Sequence, residues 1–275
     1  MNNPPADIAT LLDFMSCEQI SRDLYIGQSK DLNTGQVFGG QVLGQAIKAA
    51  SSTVDASRGI RSAHAYFIRK GDVNEPIIYN VDRALDGGSV SSRIVGANQH
   101  GKQILHLSAS FHAQEEGLDY NPVVTLPVGA IVNDVQVSQE FSIDYLDIVK
   151  VKDADKTNPD ALQYWIKTKE KLPDEPQIHQ ASLAYISDLG LLFSALVPHG
   201  LHDISREERS KKLALASIDH AIWFHRSFRA DEWFFYDCRV VSTSGARGLS
   251  RGSLYDRNGN LFASTTQEGL LRLIK

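Results

Sequence analysis

The sequence predicts an α+β chain in which one unit, a helix followed by four antiparallel strands, is used twice. Three observations predict it. The ordered landmarks His64, Phe67, Tyr79, Arg93, Gly101, Ala109-Ser110 and Gln114-Glu115 recur roughly 155 residues later as His220, Trp223, Tyr236, Arg247, Gly259, Ala263-Ser264 and Gln267-Glu268, a period far longer than a solenoid repeat. Val42, Leu43, Ala46, Ile47 and Ala50 mark one apolar face at helical spacing. Leu105, Leu107, Ala109, Phe111 and Ala113 alternate with His106, Ser108, Ser110, His112 and Gln114, the period of a sheet with two unlike faces.

In chain order, Leu24-Tyr25-Ile26 supplies a first strand, and Phe38-Gly39-Gly40-Gln41 leads into a helix ending near Ser52. Residues 62–70, 76–85, 89–98 and 103–114 follow as strands. Asp86-Gly87-Gly88 and His100-Gly101 are turn sequences between them, so neighbouring strands run antiparallel. The segment from Gly117 to Glu140 holds Pro122 and Pro127, shows little periodicity and reads as a linker. The second unit repeats the order: a strand at Gln163–Ile166, a helix at Leu183–Leu196, and strands at 218–228, 232–243, 247–256 and 261–271, with Asn258-Gly259 as a hairpin turn. A long helix with one sheet to pack against belongs in that sheet's concave face, which is a hotdog-like arrangement occurring twice. The expected division is residues 1–117, a linker at 118–140, and residues 141–275.

Length and composition agree with a globular protein of about two domains. The chain has 275 residues, 42% of them hydrophobic and 22% charged. Its net charge of −5 argues against a nucleic-acid partner, which requires clustered Lys and Arg. Cys17 and Cys238 are the only cysteines and lie far apart, so neither a disulfide framework nor a thiolate metal site is expected. Met1–Ser16 carries Asp7 and Asp13 without a basic residue, unlike a secretory or transit leader, and Leu273-Ile274-Lys275 does not match the peroxisomal Ser-Lys-Leu address. The expected location is the cytoplasm. The longest apolar run, Leu189–Val197, is about half the length a membrane-spanning helix needs, so no membrane span is expected.

One charge stands out. Within Ala181–Val197, Asp188 is the only ionisable group besides the Tyr185 phenol. A carboxylate in so apolar a helix must meet donors or have its pKa raised by desolvation. The helix of the first unit offers Gln41 and Gln45 and no acid, so the units differ in chemistry there. The plainer reading of Asp188 is an N-terminal helix cap or first-turn acid favoured by the helix dipole.

Val37-Phe38-Gly39-Gly40-Gln41, Ser187-Asp188-Leu189, Ser217-Ile218-Asp219-His220 with Trp223-Phe224-His225-Arg226, and Ala263-Ser264-Thr265-Thr266-Gln267-Glu268-Gly269 resemble the segments of acyl-CoA thioesterase II, the TesB-type double-hotdog family. The resemblance covers nearly the whole chain. It implies a tandem hotdog, two antiparallel sheets each wrapped around a long helix, and hydrolysis of fatty acyl-CoA to free fatty acid and coenzyme A. It also implies a water nucleophile held by an aspartate, a serine or threonine, and a glutamine, which fall by motif on Asp188, Ser217 and Gln267. That set suits the chemistry, since thioester hydrolysis needs an activated water, a proton acceptor, and donors aimed at the developing oxyanion. Backbone N–H groups at a helix start are the candidate oxyanion donors, Gly39-Gly40 in the first copy and the Asp188 region in the second, the alternative for the glycines being permissive turn residues.

Each residue has a plainer role beside this one. Ser217 can simply open the strand holding Ile218, and Gln267, sharing a strand face with Leu261, Ala263 and Thr265, needs a partner rather than solvent. Gln114 reads as its structural counterpart. His64 and His220 recur at one place in the two copies and read as a shared scaffold hydrogen bond. Gly248-Leu249-Ser250-Arg251-Gly252 fits the G-x-S-x-G pattern but is followed by a strand and a turn, and no histidine occurs after His225. His220 with His225, or His199 with His202, lacks metal-ligand spacing, and Gly39-Gly40 with Gly44 lacks a P-loop lysine. No metal and no dissociable cofactor are expected. Two other functions stay open, since a fold does not fix its chemistry: an enoyl-thioester hydratase-like enzyme and a non-catalytic acyl-CoA sensor. A homo-oligomer, dimer or tetramer, is expected from the resemblance.

Overall fold

The computed structural model describes residues 10–32, 34–122, 124–127, 143–151 and 161–274. The first half begins with α1 (Leu11–Phe14), β1 (Cys17–Ser21) and β2 (Leu24–Gly27), then α2 (Gly39–Ser51) and the strands β3 (Arg58–Phe67), β4 (Ile77–Asp86), β5 (Val90–Gln99) and β6 (Lys102–Ala113). The second contains β7 (Leu146–Lys150), β8 (Ala161–Thr168), α3 (Pro176–Ser187), a 3₁₀ segment (Leu191–His199), α4 (Arg206–Lys212), β9 (Leu213–Ser217), β10 (Asp219–Phe224), β11 (Phe234–Ser244), β12 (Arg247–Tyr255) and β13 (Leu261–Leu273). Residues 118–122 and 124–127 of the expected linker carry neither helix nor strand, and the rest of it lies outside the described residues.

The strand order is β1-β2-β4-β5-β6-β3-β10-β13-β12-β11-β8-β7, with β9 also on β13. Read inward from either end, equivalent strands follow in the same sequence. The two antiparallel halves therefore meet edge to edge at β3 and β10, where Ala65 faces His220 and Ala63 faces Ile222. This seam satisfies two sheet edges that would otherwise stand open. The alternation read in the sequence for β6 holds: Leu105, Leu107, Ala109 and Phe111 are buried and Ser108 is exposed. At the β5–β6 turn His100 and Gly101 both take positive φ, 49° and 67°, the pair of left-handed residues that a tight hairpin requires.

α2 is buried nearly all round, because it is covered by its own sheet on one side and by α3 on the other. A methyl group on Gly40 would come within 2.5 Å of the Tyr185 carbonyl, and one on Gly44 within 3.1 Å of the Ala181 carbonyl. The polar residues of α2 are clamps for the N-terminal segment. Gln41 Nε2 donates to the Gln28 carbonyl at 2.7 Å, while Gln45 Nε2 donates to the Phe14 carbonyl at 2.8 Å and Gln45 Oε1 accepts from the Tyr79 hydroxyl at 2.7 Å.

Two expectations are corrected. The helix expected at Leu183–Leu196 begins earlier, at Pro176, and stops at Ser187; after Asp188–Gly190 the chain resumes as a 3₁₀ segment. Apolar composition runs through both pieces, so the break left no mark in hydrophobicity. The 24-residue stretch Pro176–His199 is apolar enough to cross a membrane by composition, yet it is interrupted there and 72% of its most apolar window is buried inside the fold. The second correction concerns the histidines. His64 lies on the exposed face of β3, its ring edge-on to Trp223 at 5.0 Å between centroids, whereas His220 is fully buried on β10. They are not equivalent, since a one-residue offset turns a strand side chain to the opposite face. Gln114 likewise falls just past β6 and is exposed, while Gln267 is buried.

Candidate active site

Asp188 is the residue immediately after α3, held at its C-terminal cap with φ −85° and ψ −9°. The position is not the N-terminal cap of the plainer reading, and its own helix end is electrostatically unfavourable for an acid. Compensation comes from the other unit. The start of α2 faces the carboxylate, and the Gly40 backbone N–H acts on it to lower its pKa. A side chain on Gly39 would lie 2.8 Å from Asp188 Oδ2 and 2.9 Å from the Phe67 ring, so only hydrogen fits there.

Ser217 and Gln267 reach the same point from neighbouring strands. Ser217 closes β9 opposite Gly269 of β13, and Gln267 lies two residues back on the same face of β13. Gln267 Nε2 donates to Asp188 Oδ1 at 2.5 Å and to Ser217 Oγ at 2.9 Å, which uses both amide hydrogens. The three residues singled out in the sequence thus form one hydrogen-bonded cluster at the junction of the two units. Burial drives the Asp188 pKa up to about 7, the donors from Gln267, Gly40 and Ser217 offsetting part of that desolvation. The side chain remains half-buried, so it is desolvated without being sealed.

The sequence reading missed what lies behind this cluster. His220 faces Gln267 across β10 and β13, one step from the Ala221–Thr266 pair, and the Gln267 amide is the polar side chain beside the imidazole on that side. His220 Nε2 lies 2.9 Å from Ser187 Oγ. With the hydrogens placed so that Ser187 Oγ donates to the Ala184 carbonyl, His220 Nδ1 and Gln267 Oε1 are both buried without a partner. Moving the imidazole proton to Nδ1 satisfies both, with Nε2 accepting from Ser187. His220 is driven down to about pKa 4 by burial and is neutral in either tautomer at neutral pH. The Tyr236 hydroxyl donates to the Ser187 carbonyl at 2.9 Å, tying the end of α3 to β11. The β10–β13 register, which no sequence motif announces, is what exposes these roles.

Beside Asp188, Ile186, Leu189 and Gly190 line a narrow apolar pocket with Ile148, Tyr164 and Tyr236. The G-x-S-x-G serine, Ser250, is buried within β12 and accepts from Ser194 Oγ at 2.8 Å, with no helix after it. Both cysteines are free thiols, and no cluster of metal-ligating side chains occurs among the described residues.

Comparison with known proteins agrees with this architecture. A family model described as acyl-CoA thioesterase matches residues 136–270, and another described as the acyl-CoA thioesterase N-terminal domain matches residues 28–112. Acyl-CoA thioesterase 2 of Haemophilus influenzae is 34% identical, the match covering 95% of this chain and 96% of that protein. The acyl-CoA thioesterase II TesB2 from Mycobacterium marinum superposes with a TM-score of 0.82 at 34% identity, covering 96% of this chain and 98% of that one. A hot dog fold protein of unknown function from Alicyclobacillus acidocaldarius, at 15% identity, supports the fold alone, with a TM-score of 0.76 over 96% of this chain and 98% of that one. A duplicated hotdog with these matches along both halves belongs to the TesB-type acyl-CoA thioesterase family.

Proposed function

We propose that this thioester hydrolase cleaves fatty acyl-CoA to free fatty acid and coenzyme A, using Asp188, Ser217 and Gln267 to hold and activate water. The observation that carries the assignment is the Gln267 amide bridging Asp188 and Ser217 beside the start of α2. In this reading the Asp188 carboxylate takes a proton from water as the water oxygen attacks the thioester carbonyl carbon. The tetrahedral intermediate then collapses by breaking the C–S bond, and the proton passes to the departing thiolate. A pKa near 7 suits both halves of that exchange at neutral pH.

The test is Asp188→Asn, which keeps the shape and removes the base. Thiol release from acyl-CoA should fall at least about 10²-fold in the folded variant, the lower end of general-base contributions. Near-normal turnover would refute the role. The hydratase alternative is separated by supplying crotonyl-CoA, because loss of the conjugated double bond without thiol release would favour it. Saturable binding without any turnover would favour the sensor. We further propose a cytoplasmic, homo-oligomeric protein: two free thiols fit a reducing compartment, and closed symmetric assembly is the common form for soluble oligomers. Sedimentation analysis reads the assembly directly.

A further inference from the structure

A wide cleft stands apart from Asp188. It lies at the opposite end of α3, twelve residues or roughly 18 Å of helix away, and encloses about 920 Å³. The pseudo-symmetry of the sheet makes it the counterpart of the candidate active site, built at the start of α3 as the other is built at the start of α2. Its chemistry differs. In a chain of net charge −5, four arginines and no lysine line it: Arg61, Arg226, Arg229 and Arg257.

Two of these guanidinium groups are fixed in place. Arg229 donates to Asp231 and Asp174, and Arg226 donates to Asp119 and to the Tyr120 and Leu261 carbonyls. The other two, Arg61 and Arg257, have no partner among the described residues. Arg61 sits at the register shift between Ile60 and Ser62 of β3, a bulge of the kind that re-aims a side chain toward a site. Aromatic surface completes the cleft. Phe228 stacks on Phe262 at 4.6 Å and 17° and lies parallel to Phe224, and Trp233 is half-exposed beside them. The acids of the lining are Asp174, already held by Arg229, Asp256, which caps the Asn258–Asn260 turn, and the exposed Glu232.

Unpaired guanidinium groups beside aromatic faces suit a planar base carrying phosphates. We propose that this cleft binds a purine nucleotide diphosphate, with Arg61 and Arg257 on the phosphates and the Phe228 and Trp233 rings against the base. Such a group comes either as the head of a coenzyme A thioester or as a separate nucleotide. The first source rests on the proposed function; the binding itself does not.

The probe is ADP, titrated calorimetrically into the full chain. Wild-type protein is expected to bind it, and the double variant Arg61→Ala with Arg257→Ala to bind at least about tenfold more weakly, as loss of charge-assisted bonds to phosphate implies. Neither arginine belongs to the candidate catalytic cluster, so hydrolysis of an S-acyl-N-acetylcysteamine, a thioester without a nucleotide, is expected to be unchanged. A rise in KM for acyl-CoA with kcat retained identifies the head of the substrate as occupant; an unchanged KM identifies a separate nucleotide. Absence of ADP binding in the wild type, equal affinity in the double variant, or a parallel loss with the cysteamine thioester overturns the proposal. Failure of the wild type to hydrolyse any thioester would instead remove the proposed function and leave the ADP titration standing.

Discussion

In the proposed mechanism Asp188 sets the chemistry, and its burial carries a local cost to stability. Its carboxyl is pushed from an ordinary value near 4 up to about 7, mainly by desolvation. A base must be deprotonated to act, so kcat/KM should rise with pH through about 7 and level off above it. His220 is the nearest rival for that titration, but its low pKa of about 4 leaves it neutral across the range. The stability sign is opposite. Between about pH 4 and 7 the folded chain holds a proton that the unfolded chain has released, so this contribution is whole below pH 4 and lost as pH rises through 7. Asp188→Asn should therefore melt above wild type at pH 8, with the difference closing near pH 4; calorimetric melts at the two values check it. His220 acts one step back. His220→Phe leaves Gln267 Oε1 and Ser187 without the imidazole, and kcat should fall about tenfold with KM little changed, since an unmet buried polar group costs about 1–3 kcal/mol. His220→Gln, which retains a donor, should recover part of the loss. Equal rates in both variants would show that the amide of Gln267 needs no anchor.

The start of α2 shows why an element is placed where it is. Its first turn meets the Tyr185 carbonyl of α3 and the Asp188 carboxylate at once, and neither leaves space for a side chain. Gly40→Ala should cost about 1–3 kcal/mol by overpacking against a backbone carbonyl that cannot swing aside, seen as a lower Tm. Gly44→Ala, meeting the Ala181 carbonyl at 3.1 Å, should cost less. Much at this scale was legible in advance. The strand at 103–114 follows from period-two alternation and its neighbours from the turn sequences between them, and the observed β4, β5, β6 and β12 lie within one residue of their expected ends. Asp188 was legible because a lone acid in an apolar run demands an explanation. What stayed hidden depended on pairing rather than pattern. The break after Ser187 separates two apolar pieces, and the opposite faces of His64 and His220 depend on an offset of one residue that a landmark comparison tolerant of several cannot resolve. β1, β7 and β9 are short strands whose identity comes from the partner they lie against.

At the scale of the molecule, the division of labour between the units can be tested by separating them. All three residues of the candidate cluster belong to the second half, which invites the view that the first half is dispensable. The geometry argues otherwise: the Gly40 N–H that faces Asp188 comes from the first half, and β10 hydrogen-bonds to β3 along the seam. Residues 141–275 produced alone would expose the β10 edge together with the apolar side of α3 that α2 covers, a combination that favours aggregation over folding. Hydrolysis by that fragment should be undetectable, because its Asp188 would lose both the Gly40 N–H and the burial that holds its pKa up. Co-expression with residues 1–117 should restore a measurable fraction of activity, because the seam and the helix pair are non-covalent and the expected linker contributes no residue to the cluster. Full activity of 141–275 without its partner would mean that the duplication supplies only bulk. Restoration by 1–117 carrying Gly40→Ala, at the same rate as by the wild-type fragment, would mean that the start of α2 adds nothing to the site.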